Sequence, residues 1–277
     1  MSEFFIKMFI NLGLVLLMVL AAGTFIYLEK LVNRSDLVAD AMLFGNTEDS
    51  QAFVTSSKGF YLERILNYVA VVFHESLHAI IGLLFGYHIS VAFIKFDKSN
   101  PETLGETNYE TRQGGICITL WQSLGRTLMG IAPIIGITYL TYLMVSSLIS
   151  GFGVFLNFAD FNIVSSYNLF FQRIVSSVLF YWGSIIRYPS ALLLIFLISA
   201  ILGKGLDLSS ADIDTALSGL GYFVFLCTAI FMLLGNFSYE LSGKIIILVF
   251  AVGTPLLLFQ LLISVLKKSL ANHNGKH

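Results

Sequence analysis

Long apolar runs alternate with short polar stretches along most of this chain. The first run, residues 8–28, has the length a bilayer core requires, and Lys7 precedes it. Leu20-Ala-Ala-Gly23 resembles a signal-peptidase site, but the apolar run continues through Phe25-Ile-Tyr-Leu28, which predicts an uncleaved anchor. Residues 33–60 mix Asp36, Asp40, Glu48 and Asp49 with Arg34 and Lys58, and read as a solvated polar loop. Residues 61–87 form the next apolar helix. Glu63, Asn67, His74, His78, Gly82 and Gly86 fall roughly along one stripe of it. Small residues at four-residue spacing let another backbone approach, so this stripe is expected to face the protein rather than lipid.

From residue 88 the period changes. Ile89-Ser-Val-Ala-Phe-Ile-Lys-Phe96 is rich in β-branched and aromatic residues, and Asp97-Lys-Ser-Asn-Pro101 is turn chemistry. Gly105-Glu-Thr-Asn-Tyr-Glu-Thr-Arg112 then alternates like a returning strand. A β-hairpin is expected, either as a simple cap or as an edge to which an extended substrate segment adds a strand. Gly114-Gly115 reads as a flexible joint before a span at 126–149, in which Pro133 frees a backbone carbonyl that a neighbour must satisfy. Phe152, Phe155, Phe158 and Phe161 recur every third residue, and Tyr181, Trp182, Arg187 and Tyr188 resemble interface anchors. That region reads as lying on or dipping into the membrane, with a second pass at 174–186 as the other reading. Spans at 190–203, 217–237 and 245–266 follow.

The pattern therefore predicts an all-α polytopic membrane protein of about six helices, with a small β-hairpin after the motif helix. It forms a single integral membrane domain over 1–277: a polar loop at 33–60, the motif helix at 61–87, hairpin and loop at 88–124, a core at 125–220, and last spans with a polar tail at 221–277. Lys267 and Lys268 beyond the last span favour a cytoplasmic C terminus. Six spans then place the N terminus inside too, together with the loop carrying Lys95, Lys98, Arg112 and Arg126.

Composition agrees. The chain is 56% hydrophobic and only 12% charged, about half the charge of soluble domains, and its mean hydropathy is +0.82. A formal charge of −1 gives no footprint for nucleic acid. Cys117 and Cys227 lack C-x-x-C spacing and read as small buried hydrophobes, neither a disulfide framework nor a thiolate zinc site. Nothing in the pattern specifies an oligomer, and no internal repeat suggests the duplicated halves of a transporter.

The chemistry lies in the motif helix. His74-Glu75-Ser-Leu-His78 places two imidazoles at i and i+4, on one face, where they can bind one cation. Glu75 stands next to the first of them, placed to take a proton from a water on that cation. The alternative is a pair of buried histidines bonded to backbone. Ionisable groups in a membrane segment cost a few kcal/mol each and mark function by default, which favours the metal. Catalytic zinc takes three protein ligands and leaves a position for water. For the third, His88 lies ten residues past His78 and too far along the axis. Glu106 and Glu110 belong to the hairpin. Asp212 is the first choice, then Asp214 and Asp207; Ser209-Ser-Ala-Asp212 equally fits a capping box at a helix start.

With these features the chain resembles the site-2 protease family of intramembrane zinc metalloproteases. The likeness rests on H-E-S-L-H in an apolar helix, a hairpin directly after it, a proline-containing next span and a distal aspartate, and covers roughly residues 61–220. In that family the third ligand stands in an L-D-G sequence, whereas here it reads Ser-Ser-Ala-Asp212-Ile-Asp214, as in a divergent branch. The resemblance implies Zn2+ held by His74, His78 and a distal aspartate, with Glu75 as general base. It also implies cleavage of a peptide bond in or beside the transmembrane segment of a membrane-protein substrate. A second function class is a non-catalytic membrane scaffold or interaction protein whose metal is structural or absent.

Overall fold

Polarity alone does not decide where the helices of this chain begin and end. The computed structural model describes residues 2–44, 58–93, 105–148, 167–234 and 236–274. Helix α1 (Ser2–Phe44) runs unbroken through the polar stretch that begins at residue 33. The polar loop at 33–60 is thus corrected: its first twelve residues are helical, and the next helix already starts at Lys58. The reason is local. Between Gly23 and Gly45 there is no glycine or proline to stop a helix. Polarity there marks departure from an apolar environment, not an end to the backbone hydrogen bonding.

The motif helix, α2 (Lys58–Leu84), ends at a specific device. Gly86 takes φ +77°, open to glycine at no steric cost. Its N–H donates to Leu83 O at 3.0 Å, and Tyr87 N–H donates to Gly82 O at 3.0 Å. This pair of bonds is a Schellman stop. Gly86, expected to extend a packing stripe, instead turns the chain back. Strand β1 (His88–Ala92) follows and pairs antiparallel with β2 (Glu106–Glu110), Ile89 opposite Tyr109 and Val91 opposite Thr107. The turn expected at 97–101 lies outside the described residues.

The expected loop up to 124 is also shorter than read. Helix α3 (Ile116–Gly130) begins ten residues before the predicted span and breaks at Ile131, where α4 (Ala132–Leu148) starts. The two are bent by 63°. Pro133, in the first turn of α4, has no N–H to continue the α3 ladder, so the break falls there. Helix α5 (Tyr167–Arg187) and helix α6 (Pro189–Leu202) follow, then a 3-10 turn (Gly203–Leu206). Helices α7 (Ser210–Leu234), α8 (Asn236–Ile247) and α9 (Thr254–Asn274) complete the order, with a π turn (Leu248–Gly253) between the last two. The phenylalanines at 152–161 lie outside the described residues.

Five helical segments are long and apolar enough to cross a membrane, and the bent α3–α4 pair makes six if it counts as one span. Helix α5 is not among them. Outward faces are apolar: Leu233 is 88% exposed, Phe225 68% and Ile80 60%. Such a surface suits hydrocarbon and would aggregate in water. The chain is a membrane protein.

Helix α1 packs along α9, and α3 packs along α7. Helix α2 sits between α3, α4, α6 and the 3-10 turn. The α3–α7 contact is backbone on backbone. A Cβ on Gly130 would strike Asp212 O and Ala216, and one on Gly219 would lie 2.6 Å from Ser123 O. Thr127 Oγ1 donates to Ala216 O at 3.0 Å across the same seam. Cys117, read as buried, is exposed in the first turn of α3, and Cys227 is half-buried; both are free thiols.

Candidate metal centre

The helical period places His74 and His78 side by side, both buried, with ring centroids 4.6 Å apart. What fixes the rings is irregular backbone on two other elements. His78 Nδ1 donates to Met129 O at 2.7 Å. Met129 stands four residues before Pro133, so its carbonyl is the one that proline leaves without an α-helical donor. His74 Nδ1 donates to Gly205 O at 2.8 Å. Gly205 lies in the 3-10 turn, pressed against α2 so closely that a Cβ would sit 3.0 Å from Ala70 O.

These bonds dictate the tautomers. A carbonyl oxygen only accepts, so each Nδ1 carries the hydrogen and each neutral ring presents a bare lone pair at Nε2. The two Nε2 atoms face each other at 2.9 Å. Asp212 faces both, Oδ1 at 3.1 Å from His78 Nε2 and Oδ2 at 3.5 Å from His74 Nε2. With both rings neutral, three electron-pair donors converge with no hydrogen among them. One added proton would satisfy a single contact; a divalent cation satisfies all three. Bonds of 2.0–2.1 Å in a tetrahedron imply donor separations of about 3.3 Å, and the observed 2.9, 3.1 and 3.5 Å bracket that value. Among the described residues these three form the group able to hold a metal ion.

Asp212 is both donor and cap. Ser209 Oγ accepts from Asp212 N–H at 3.1 Å, and Asp212 Oδ2 accepts from Ser209 N–H and from its hydroxyl, each at 2.8 Å. This is a capping box at the start of α7, and it fixes the carboxylate facing the imidazoles. The other acids are elsewhere. Asp214 is exposed, and Asp207, also exposed, pairs with Lys30 of α1 at 2.7 Å. Lys30 also bonds Leu208 O, tying α1 to the segment that leads into the cap. His88 is exposed on β1.

Glu75 lies beside this group and is half-buried. Its Oε2 accepts from Thr107 Oγ1 of β2 at 2.6 Å. On the same face of β2, Tyr109 shares a hydrogen bond with Thr215 of α7 at 2.8 Å. Tyr87, just past the helix stop, donates to Gln122 O. Burial pushes its phenol up while Arg126 pulls against that, so the hydroxyl keeps its hydrogen at neutral pH.

Three of these parts escaped the sequence reading. The Met129 carbonyl had a signal, since Pro133 points to the residue four before it. Thr107 had a weaker one, its place on one face of an alternating strand. Gly205 had none. No family model, curated protein or solved structure matches this chain.

Proposed function

We propose that this protein is an intramembrane zinc metalloprotease, of the kind its H-E-x-x-H helix resembles, which hydrolyses a peptide bond in or near the transmembrane segment of a membrane-protein substrate. The observation that carries the reading is the convergence of His74 Nε2, His78 Nε2 and a carboxylate, with each imidazole hydrogen already committed to a carbonyl. Three donors leave a fourth position open, as catalytic rather than structural sites do. Bound there, zinc supplies a Lewis acid that lowers the pKa of water toward neutrality and polarises the scissile carbonyl.

The chain's own residues do the rest. His74, His78 and Asp212 hold the ion. Glu75 accepts a proton as the water oxygen forms its bond to the carbonyl carbon, and returns that proton to the amide nitrogen as the C–N bond breaks. The products are a carboxylic acid and an amine, and the acid's proton passes to the amine to give carboxylate and ammonium. A helical substrate must unwind locally, because its amides are otherwise committed to the helix. Among the described residues each strand of the hairpin pairs only with the other, and the unwound segment can add along an outer edge. The same reading makes the protein multi-pass, with six spans, both termini cytoplasmic, and the hairpin on the cytoplasmic side, where water reaches the site.

The test is direct. Glu75→Gln should keep zinc yet abolish proteolysis of a co-expressed single-span substrate, whereas His78→Ala should lose the metal. Equal proteolysis by wild type and Glu75→Gln would remove the enzyme reading.

A further inference from the structure

We propose that Thr107 is a positioning residue for Glu75, so that the hairpin's second strand is a working part of the site and not only its cover. The proposal rests on the reading of Glu75 as general base.

A glutamate on a helix has three rotatable bonds, and H-E-x-x-H spacing fixes where its Cα lies, not where its carboxylate points. Two groups of the hairpin settle that. Thr107 Oγ1 donates to Oε2 at 2.6 Å, the length expected of a hydroxyl bonding an ionised carboxylate. Its other contact, Glu75 O at 3.3 Å, keeps the hydroxyl centred over that one residue. Gly105, two residues earlier and on the same face, lies directly against Glu75. A Cβ there would sit 2.9 Å from Glu75 Cγ, 3.3 Å from Oε1 and 2.6 Å from Val71. The absent side chain therefore leaves room for the observed rotamer, and the hydroxyl locks it. Only Oε2 is engaged by Thr107, which leaves Oε1 to accept a hydrogen from a reacting molecule.

The strand is itself held in place from both sides. Thr107 and Tyr109 alternate with Glu106, Asn108 and Glu110, so they share a face. Thr107 bonds the helix that carries His74 and His78; Tyr109 bonds Thr215 of the helix that carries Asp212. Behind them Tyr109 packs edge-on against Tyr87 at 5.5 Å, and β1 fixes the register by pairing Val91 with Thr107. One strand thus bonds both donor-bearing helices and holds the Glu75 carboxylate through Thr107.

The test uses the purified full-length protein loaded with Co2+, with two probes read by the visible spectrum. Acetohydroxamic acid chelates a metal and presents a hydrogen to a neighbouring carboxylate; azide binds through one nitrogen and presents none. Thr107→Val should weaken acetohydroxamic acid roughly fivefold to tenfold and leave azide affinity unchanged. Thr107→Ser, which keeps the hydroxyl, should match wild type. In a Glu75→Ala background Thr107→Val should have no further effect, because the partner it positions is gone. Gly105→Ala, which displaces the carboxylate with the hydroxyl intact, should mimic Thr107→Val. Equal weakening of both probes, failure of serine to rescue, or an undiminished effect in the Glu75→Ala background would overturn the proposal and leave Thr107 a structural residue. Stronger acetohydroxamic acid binding by Thr107→Val would overturn it too, by making the bond a restraint on Glu75. Loss of the metal reading itself shows separately, as wild-type protein that takes up no Co2+.

Discussion

Asp212 holds two positions at once, and two substitutions should pull them apart. Asp212→Asn keeps an oxygen that can accept from Ser209 N–H, and leaves Ser209 Oγ accepting from the N–H of residue 212 at 3.1 Å. The cap should therefore survive to within about 0.5 kcal/mol. What it loses is the anionic donor 3.1 Å from His78 Nε2 and 3.5 Å from His74 Nε2. Loss of an outer-shell partner typically lowers metal affinity by about 10–100-fold. Loss of one of three ligands should exceed that, so the expected fall is at least about 100-fold, near 2.8 kcal/mol. Ser209→Ala does the opposite. It removes the hydroxyl that caps α7, costing about 1 kcal/mol at the helix start, and strips one 2.8 Å donor from Asp212 Oδ2. Zinc should weaken only about tenfold, the low end for an outer-shell partner. The assays are competition for Zn2+ against a chromophoric chelator, and hydrogen exchange of the first-turn amides of α7 in the metal-free protein. Wild-type zinc affinity in Asp212→Asn would refute the donor set. Equal loosening of the helix start in both variants would refute the division of roles.

Three further outcomes follow from the same geometry. Pro133→Ala restores an N–H aimed at Met129 O, in competition with His78 Nδ1; zinc affinity should fall about tenfold by chelator competition, and an unchanged value would mean the proline does not matter to His78. Gly130→Ala places a methyl against Asp212 O and Ala216; thermal unfolding in detergent should show about 1–3 kcal/mol of destabilisation by overpacking, and an unshifted midpoint would refute the close α3–α7 seam. Lys30→Met removes an ion pair whose side chains are 41% and 45% exposed; its effect should stay below about 1 kcal/mol and leave zinc affinity within error, whereas loss of metal would give α1 a direct part in the site.

How much of this could be read beforehand divides along a physical line. Periodicity is local, so the apolar helices, the adjacency of His74 and His78 and the alternation of Thr107 with Tyr109 were legible. The capping box was legible too, because Ser209 and Asp212 are three residues apart, though its spacing alone left ligand and cap equally supported. Helix ends were read worst. Polarity suggested a loop from residue 33, where the helix continues to Phe44, and a small-residue stripe concealed Gly86 as a helix stop. Contacts that depend on which elements meet were beyond reach: nothing near Gly205 says its carbonyl will face a histidine 131 residues away. Cys117 failed for a related reason, since an apolar neighbourhood in a membrane protein is as much a surface as a core.

Two of the parts that escaped prediction, the Met129 and Gly205 carbonyls, share a function that explains why they exist. In hydrocarbon, a backbone carbonyl without a donor costs several kcal/mol, and so does an imidazole N–H without an acceptor. A continuous membrane helix has no carbonyl to spare for a histidine. The α3–α4 break and the 3-10 turn each release one, at Met129 and Gly205, and each is taken by one Nδ1. Two faults in the helices and two buried polar side chains thus cancel pairwise. The cancellation has a chemical consequence. With both Nδ1 hydrogens committed, the neutral rings turn bare nitrogens toward each other and toward Asp212, an arrangement that could hold a metal ion. Irregular backbone at membrane depth, often read as a flaw or a hinge, here sets the tautomers of the two neutral rings.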